Sequence, residues 1–198
     1  ENTKEVMPEF PAGLSFTQPF SWGVIKNMRK VLLIDTSLLC VWLKVPGKET
    51  AGNNKWDFEL VNEKIHTEIE KGTTLILPLA TVIETGNHIA QAKTGDKWTS
   101  AEKFAEIMIF AADETSPWAA FREQIVLWET EGLKKLAATF PNQAVQNTSM
   151  GDASIVVLGW YYYSEKGFHV EFLTDDDKLK SQEPPPPTSP TRRSSRKK

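Results

Sequence analysis

Cysteine is nearly absent from this chain of 198 residues, and the single Cys40 excludes an internal disulfide. That scarcity fits a reducing, cytoplasmic setting. Cys40 stands inside the apolar stretch "TSLLCVWLK", where a buried structural thiol is expected rather than a nucleophile. Also missing is any run approaching the roughly 20 apolar residues that span a membrane, so no membrane partner is expected. Histidine occurs three times, at His66, His88 and His169, with no pair at metal-ligand spacing. His88, four residues past Glu84, is therefore read as a hydrogen-bonded structural imidazole. Excess positive charge is lacking too. The formal net charge is −3, and five basic residues and one acid, Glu183, stand in the last eighteen positions, so residues 1–180 carry −7. The composition gives the body no evident basic face for nucleic acid.

What is present is enough apolar sequence for one sizeable core, with 40% hydrophobic and 25% charged residues, the ordinary balance of a globular domain. Residues 1–27 show neither helical nor strand periodicity and lack the apolar core of a signal peptide. They are expected to be an extension ahead of a domain over 28–180. "EPPPPTSPTRRSSRKK" is a proline-rich basic tail, and residues 181–198 are expected to be disordered when free.

Within the domain, strand-like and helix-like segments alternate. "KVLLID" (30–35), "TTLILP" (73–78) and "FHVEFL" (168–173) are short, apolar and bounded by turn residues, as strands buried on both faces are. Helices are expected over "TSLLCVWLK" with Thr36 or Ser37 as cap, over 54–72 closed by Gly72, and after Pro78. Further helices are expected from Thr99 or Ser100, over 129–140 up to Pro141, and over 151–167 ended by Gly167. The stretch 118–128 is ambiguous, and a strand near Gln124–Trp128 is preferred. The order implies an α/β fold, a mostly parallel central sheet flanked by helices on both faces. Chemistry in such folds collects beyond the carboxyl ends of the strands.

Acidic residues stand at those ends. Asp35 closes the first strand, Glu84 lies on the helix after the second, Asp152 opens a largely apolar helix, and Asp175, Asp176 and Asp177 follow the last strand. Carboxylates brought together without neutralisation repel one another. A divalent cation removes that conflict, and all-oxygen donors suit Mg2+ or Mn2+. The chemistry that follows is metal-assisted hydrolysis of a phosphodiester.

"VLLIDTSLL", "LPLATVIETGNHI", "MGDASIVVLGW" and "FLTDDDKL" resemble, in order, the four acidic motifs of PIN-domain nucleases, a family that includes VapC-like toxins. The resemblance covers roughly residues 29–180. It implies an endoribonuclease whose metal ligands are Asp35, Glu84, Asp152 and Asp176. Asp176 is selected because the last motif places its acid two positions past a Thr, here Thr174, and Asp175 takes its place if the turn is shifted. Thr36 and Ser37 match the small hydroxyl residues that trail the first aspartate. The family also implies an RNA substrate, homodimers and, in its toxin branch, an antitoxin protein. The stretches Asp35–Glu84 and Glu84–Asp152 are longer than in the compact toxins.

Plainer readings stand beside these. Asp35 and Asp152 each suit a helix cap, Glu84 a surface helix position, and "DDD" a solvated turn. The seven tryptophans and Tyr161–Tyr163 suit core packing as well as base stacking. A haloacid-dehalogenase-like phosphatase also starts from an Asp after its first strand, but it needs a second Asp where Ser37 stands. The non-enzymatic rival is a PIN-like fold used as a binding or scaffold module.

Overall fold

The computed structural model describes residues 29–186, except 54, 94 and 120. The expected extension 1–27 and residues 187–198 of the expected tail lie outside the described residues. Three strands, β1 (Lys30–Ile34), β2 (Thr74–Ile76) and β3 (His169–Leu173), form a parallel sheet in the order β2-β1-β3. Leu33 pairs with Ile76 on one side and Phe172 on the other. The first strand is therefore central, which is why its run is apolar at every position from Val31 to Ile34.

Neighbouring residues of that run serve different faces. Leu32 and Ile34 join Leu75 and Leu173 in one core, closed by helices α1 (Thr36–Trp42), α2 (Phe58–Glu70), α3 (Leu79–Gln91) and α4 (Lys97–Ala112). Val31 and Leu33 join Ile76, Val170 and Phe172 in the other. That second core is closed by α5 (Ile125–Trp128), α7 (Met150–Ser164) and α8 (Asp177–Ser181), with α6 (Thr130–Ala144) packed on α5 and α7. The α/β class with helices on both faces is thus the observed one. No helix among the described residues is long and apolar enough to cross a membrane.

Several boundaries differ from the sequence reading, each for a local reason. The expected strand at Gln124–Trp128 is a 3-10 turn, Phe121–Gln124, running into α5. The place beside β2 is taken instead by Pro117–Ala119, which exchanges backbone hydrogen bonds of 2.8 and 3.0 Å with Leu75. Gln124 then turns its side chain onto the end of β2, donating to the Leu77 carbonyl and accepting from Leu79 N. Asp96, rather than Thr99 or Ser100, caps α4, because its carboxylate accepts from Thr99 N. Asp35, rather than Thr36 or Ser37, caps α1. Helix α6 runs through Pro141 to Ala144, and α7 starts from a Ser149 cap. The domain does not end at 180: Ser181 belongs to α8, and the Glu183 carboxylate accepts from Phe172 N at 2.7 Å on the outer edge of β3.

Helix α7 can lie close to the sheet because Gly159 faces β3. A Cβ at that position would stand 2.5 Å from Phe172 Cε1 and 2.7 Å from its Cζ. Gly159→Ala is therefore expected to lower unfolding stability by about 1–3 kcal/mol, the usual cost of overpacking, despite alanine's better helix propensity. Urea titration measures it, and an unchanged midpoint would contradict this packing of α7.

Candidate functional site

The chain passes from β1 into α1 without a loop, and Asp35 is the junction. Its backbone N–H extends the sheet by donating to the Leu173 carbonyl, and its own carbonyl accepts from Leu39 N as α1 begins. The side chain is thereby fixed at the carboxyl end of the central strand, 8% exposed. Three donors hold it: Thr36 N reaches Oδ1 at 2.7 Å, and the hydroxyls of Ser37 and Thr174 reach Oδ2 at 2.9 and 2.8 Å. Burial nevertheless pushes its pKa from 3.8 up to about 6, outweighing those hydrogen bonds, and the nearby charge of Asp152 adds to the rise.

Glu84 comes to the same rim on α3. The Thr36 hydroxyl donates to its Oε2 at 2.9 Å, so two consecutive residues, Asp35 and Thr36, serve both the carboxylate at the strand end and the one on the helix. The other oxygen of Glu84 faces the start of α7 at Gly151, where a Cβ would stand 2.4 Å from Oε1. Glycine leaves room there for the carboxylate. Asp152, the next residue, is the third position of α7 and forms a capping box with Ser149. Its Oδ2 accepts from Ser149 N and Oγ at 3.3 and 2.8 Å, which leaves Oδ1 outside the box. Two of the plainer readings are thus present in the geometry, since Asp35 caps α1 and Asp152 helps to cap α7.

The run of three aspartates divides by direction. Asp176 N donates to the Thr174 hydroxyl, which itself donates to Asp35, so the backbone of Asp176 belongs to the rim. Its carboxylate is turned to the start of α8, where Oδ1 accepts from Lys178 N and Leu179 N. Asp175 points elsewhere, and its Oδ2 accepts from Gly52 N at 2.8 Å. Lys178 bridges to the Gln146 carbonyl and ties α8 to the segment before α7. His88 lies on α3 near Glu84, and burial together with the charge of Lys48 holds its pKa below the usual imidazole range.

The structure therefore gathers Asp35, Glu84 and Asp152 at one rim, brings Asp176 there by its backbone, and sends Asp175 away. Three further residues build the rim: Thr174, Gly151 and Ser149. The spacing Ser149-x-x-Asp152 was a readable capping-box signal, whereas nothing local marks Gly151 as the residue that clears space for Glu84.

Among the described residues, no three His, Cys, Asp or Glu side chains stand close enough together to hold a metal ion as they are. The fit to a hard divalent cation lies in the donor set, all carboxylate and hydroxyl oxygen. Asp35, Glu84 and the Oδ1 of Asp152 are the groups that would hold it, and Asp176 would join by giving up its cap on α8. Comparison of the chain with protein-family models, with curated proteins and with solved structures gives no match.

The raised pKa of Asp35 has a consequence for stability. The folded chain holds the Asp35 proton more tightly than the unfolded chain, so its contribution is greatest at low pH. It declines as pH rises from about 4 to about 6, a loss on the order of 3 kcal/mol. Asp35→Asn removes the charge, and the Ser37 and Thr174 hydroxyls can rotate to accept from the new amide. The variant is expected to unfold at higher urea concentration than the wild type at pH 7, an advantage absent at pH 3. Lower stability of the variant at pH 7 would mean that the carboxylate is a stabilising cap.

Proposed function

We propose that the chain is a Mg2+- or Mn2+-dependent endoribonuclease of the PIN type, working at the rim formed by Asp35, Glu84 and Asp152. The observation that carries this reading is a carboxylate buried at the end of the central strand and tied through Thr36 to Glu84, a second acid on a separate helix. A group so placed is destabilised as an anion, and perturbed carboxylates gathered at the carboxyl edge of a parallel sheet mark a functional position. The motif resemblance supplies the reaction class, and the donor chemistry of the rim agrees with it.

A divalent ion held by Asp35, Glu84 and Asp152 would lower the pKa of a water, so that its deprotonated form is available as the nucleophile, and would supply positive charge for the leaving oxygen. The chain's own residues do the positioning. Ser37, Thr174 and Thr36 N fix both oxygens of Asp35, and Thr36 fixes Glu84 relative to it. Ser149 holds Asp152 by one oxygen and leaves the other outside the capping box. Asp35, 8% exposed, is the most buried of the three rim acids. No serine or cysteine is required as nucleophile.

A second reading has an observation of its own. Every oxygen of Asp35 already has a donor, and Asp152 is engaged in a capping box. A binding or scaffold module would need no more than that. The deciding assay is cleavage of RNA by the purified chain with Mn2+. The nuclease reading expects cleavage that a chelator abolishes and that Asp35→Asn reduces to the chelated level. Because Asp35→Asn is expected to stay folded, equal cleavage by wild type and variant would remove the mechanism, and no cleavage by either would leave the binding module.

A further inference from the structure

A cleft of about 450 Å3 opens next to the acidic rim, between the turn that carries Gly52, Asn53, Lys55 and Trp56 on one side and the end of β3 with α8 on the other. Its volume is that of a small-molecule site. The turn is closed by a backbone pair between Ala51 and Trp56, at 2.9 and 3.2 Å, and by Lys55 N donating to the Gly52 carbonyl. Gly52, at φ +59°, seats the turn against the strand end. A Cβ there would meet Asp175 Cβ at 3.1 Å and Trp56 Cδ1 at 3.3 Å. One glycine thus holds an indole and a carboxylate in fixed relation, and its N–H fixes Asp175 Oδ2.

The charges in the cleft are not all available. Lys64 is held by Glu68 and Glu171 at 3.1 and 2.9 Å, and Lys180 by Glu183 at 2.7 Å. Uncommitted among the described lining residues are the Lys55 ammonium, the Asp177 carboxylate and the second oxygen of Asp175, beside the half-buried Trp56. One cation, an aromatic ring and carboxylate acceptors lining one cleft match one kind of ligand. A nucleotide would offer a base to the indole, base N–H donors to a carboxylate and a phosphate to the lysine. Thr174 joins this cleft to the rim, since it lines the cleft and donates to Asp35 Oδ2.

We propose that the cleft is a nucleotide subsite, holding one base of an RNA strand beside the phosphate presented to Asp35. Its placement next to a scissile phosphate rests on the nuclease reading, but nucleotide binding itself does not. The test is therefore made without metal, by calorimetric titration of guanosine 5′-monophosphate into the full chain in chelator, with ribose 5-phosphate as the baseless control. Saturable binding of the nucleotide, weaker binding of the control, and a loss of roughly tenfold in both Trp56→Leu and Lys55→Glu are expected, the size of one lost stacking or phosphate contact. Lys55 is exposed and outside both cores, so Lys55→Glu keeps the test valid if Trp56→Leu fails to fold. Equal binding of the control, no saturable binding of the nucleotide, or wild-type affinity in Lys55→Glu would overturn the subsite. A chain that binds the nucleotide and cuts no RNA keeps the site and loses the nuclease; one that cuts RNA and binds no nucleotide does the reverse.

Discussion

A carboxylate buried at the end of the central strand is the constraint on which the rest of the molecule turns. Asp35 follows four residues that are wholly sequestered between two layers of helices, and a charge carried that far from water must be compensated locally. The protein supplies one backbone N–H and two hydroxyls, and these do not fully offset the burial.

That constraint explains why residues far apart in sequence have the chemistry they do. Thr36 must be a hydroxyl residue to reach Glu84, and Thr174 must be one to reach Asp35 while accepting from Asp176. Residue 151 must be small because the Glu84 carboxylate occupies the space where its side chain would be. The parallel order β2-β1-β3 does the gathering, since it sets the ends of β1 and β3 and the start of α3 along one edge.

Much of this was legible beforehand, for identifiable reasons. A strand covered on both faces needs apolar residues at every position, so "VLLI" and the last strand stood out as unbroken runs. The acids Asp35, Glu84 and Asp152 could be placed because each adjoins such an element. Ile125–Trp128 was misread because four apolar residues carry no usable period, and the neighbouring edge of the sheet was filled by Pro117–Ala119 instead. Among the adjacent aspartates only the resemblance favours Asp176 over Asp175, since their directions are set by different partners: Gly52 for Asp175 and the α8 amides for Asp176. The cleft was invisible for the same reason. It depends on a contact between residues 123 positions apart, and no local pattern encodes that.

We propose that this buried acid is kept for a cation. Calorimetric titration of Mn2+ near pH 6, repeated in buffers of different ionisation enthalpy, tests it most directly. At that pH Asp35 is partly protonated, and a carboxylate ligand must lose its proton on binding. Saturable binding with proton release, both lost in Asp35→Asn, is the predicted result. Absence of binding at millimolar ion, or binding that the substitution leaves intact, would contradict the account.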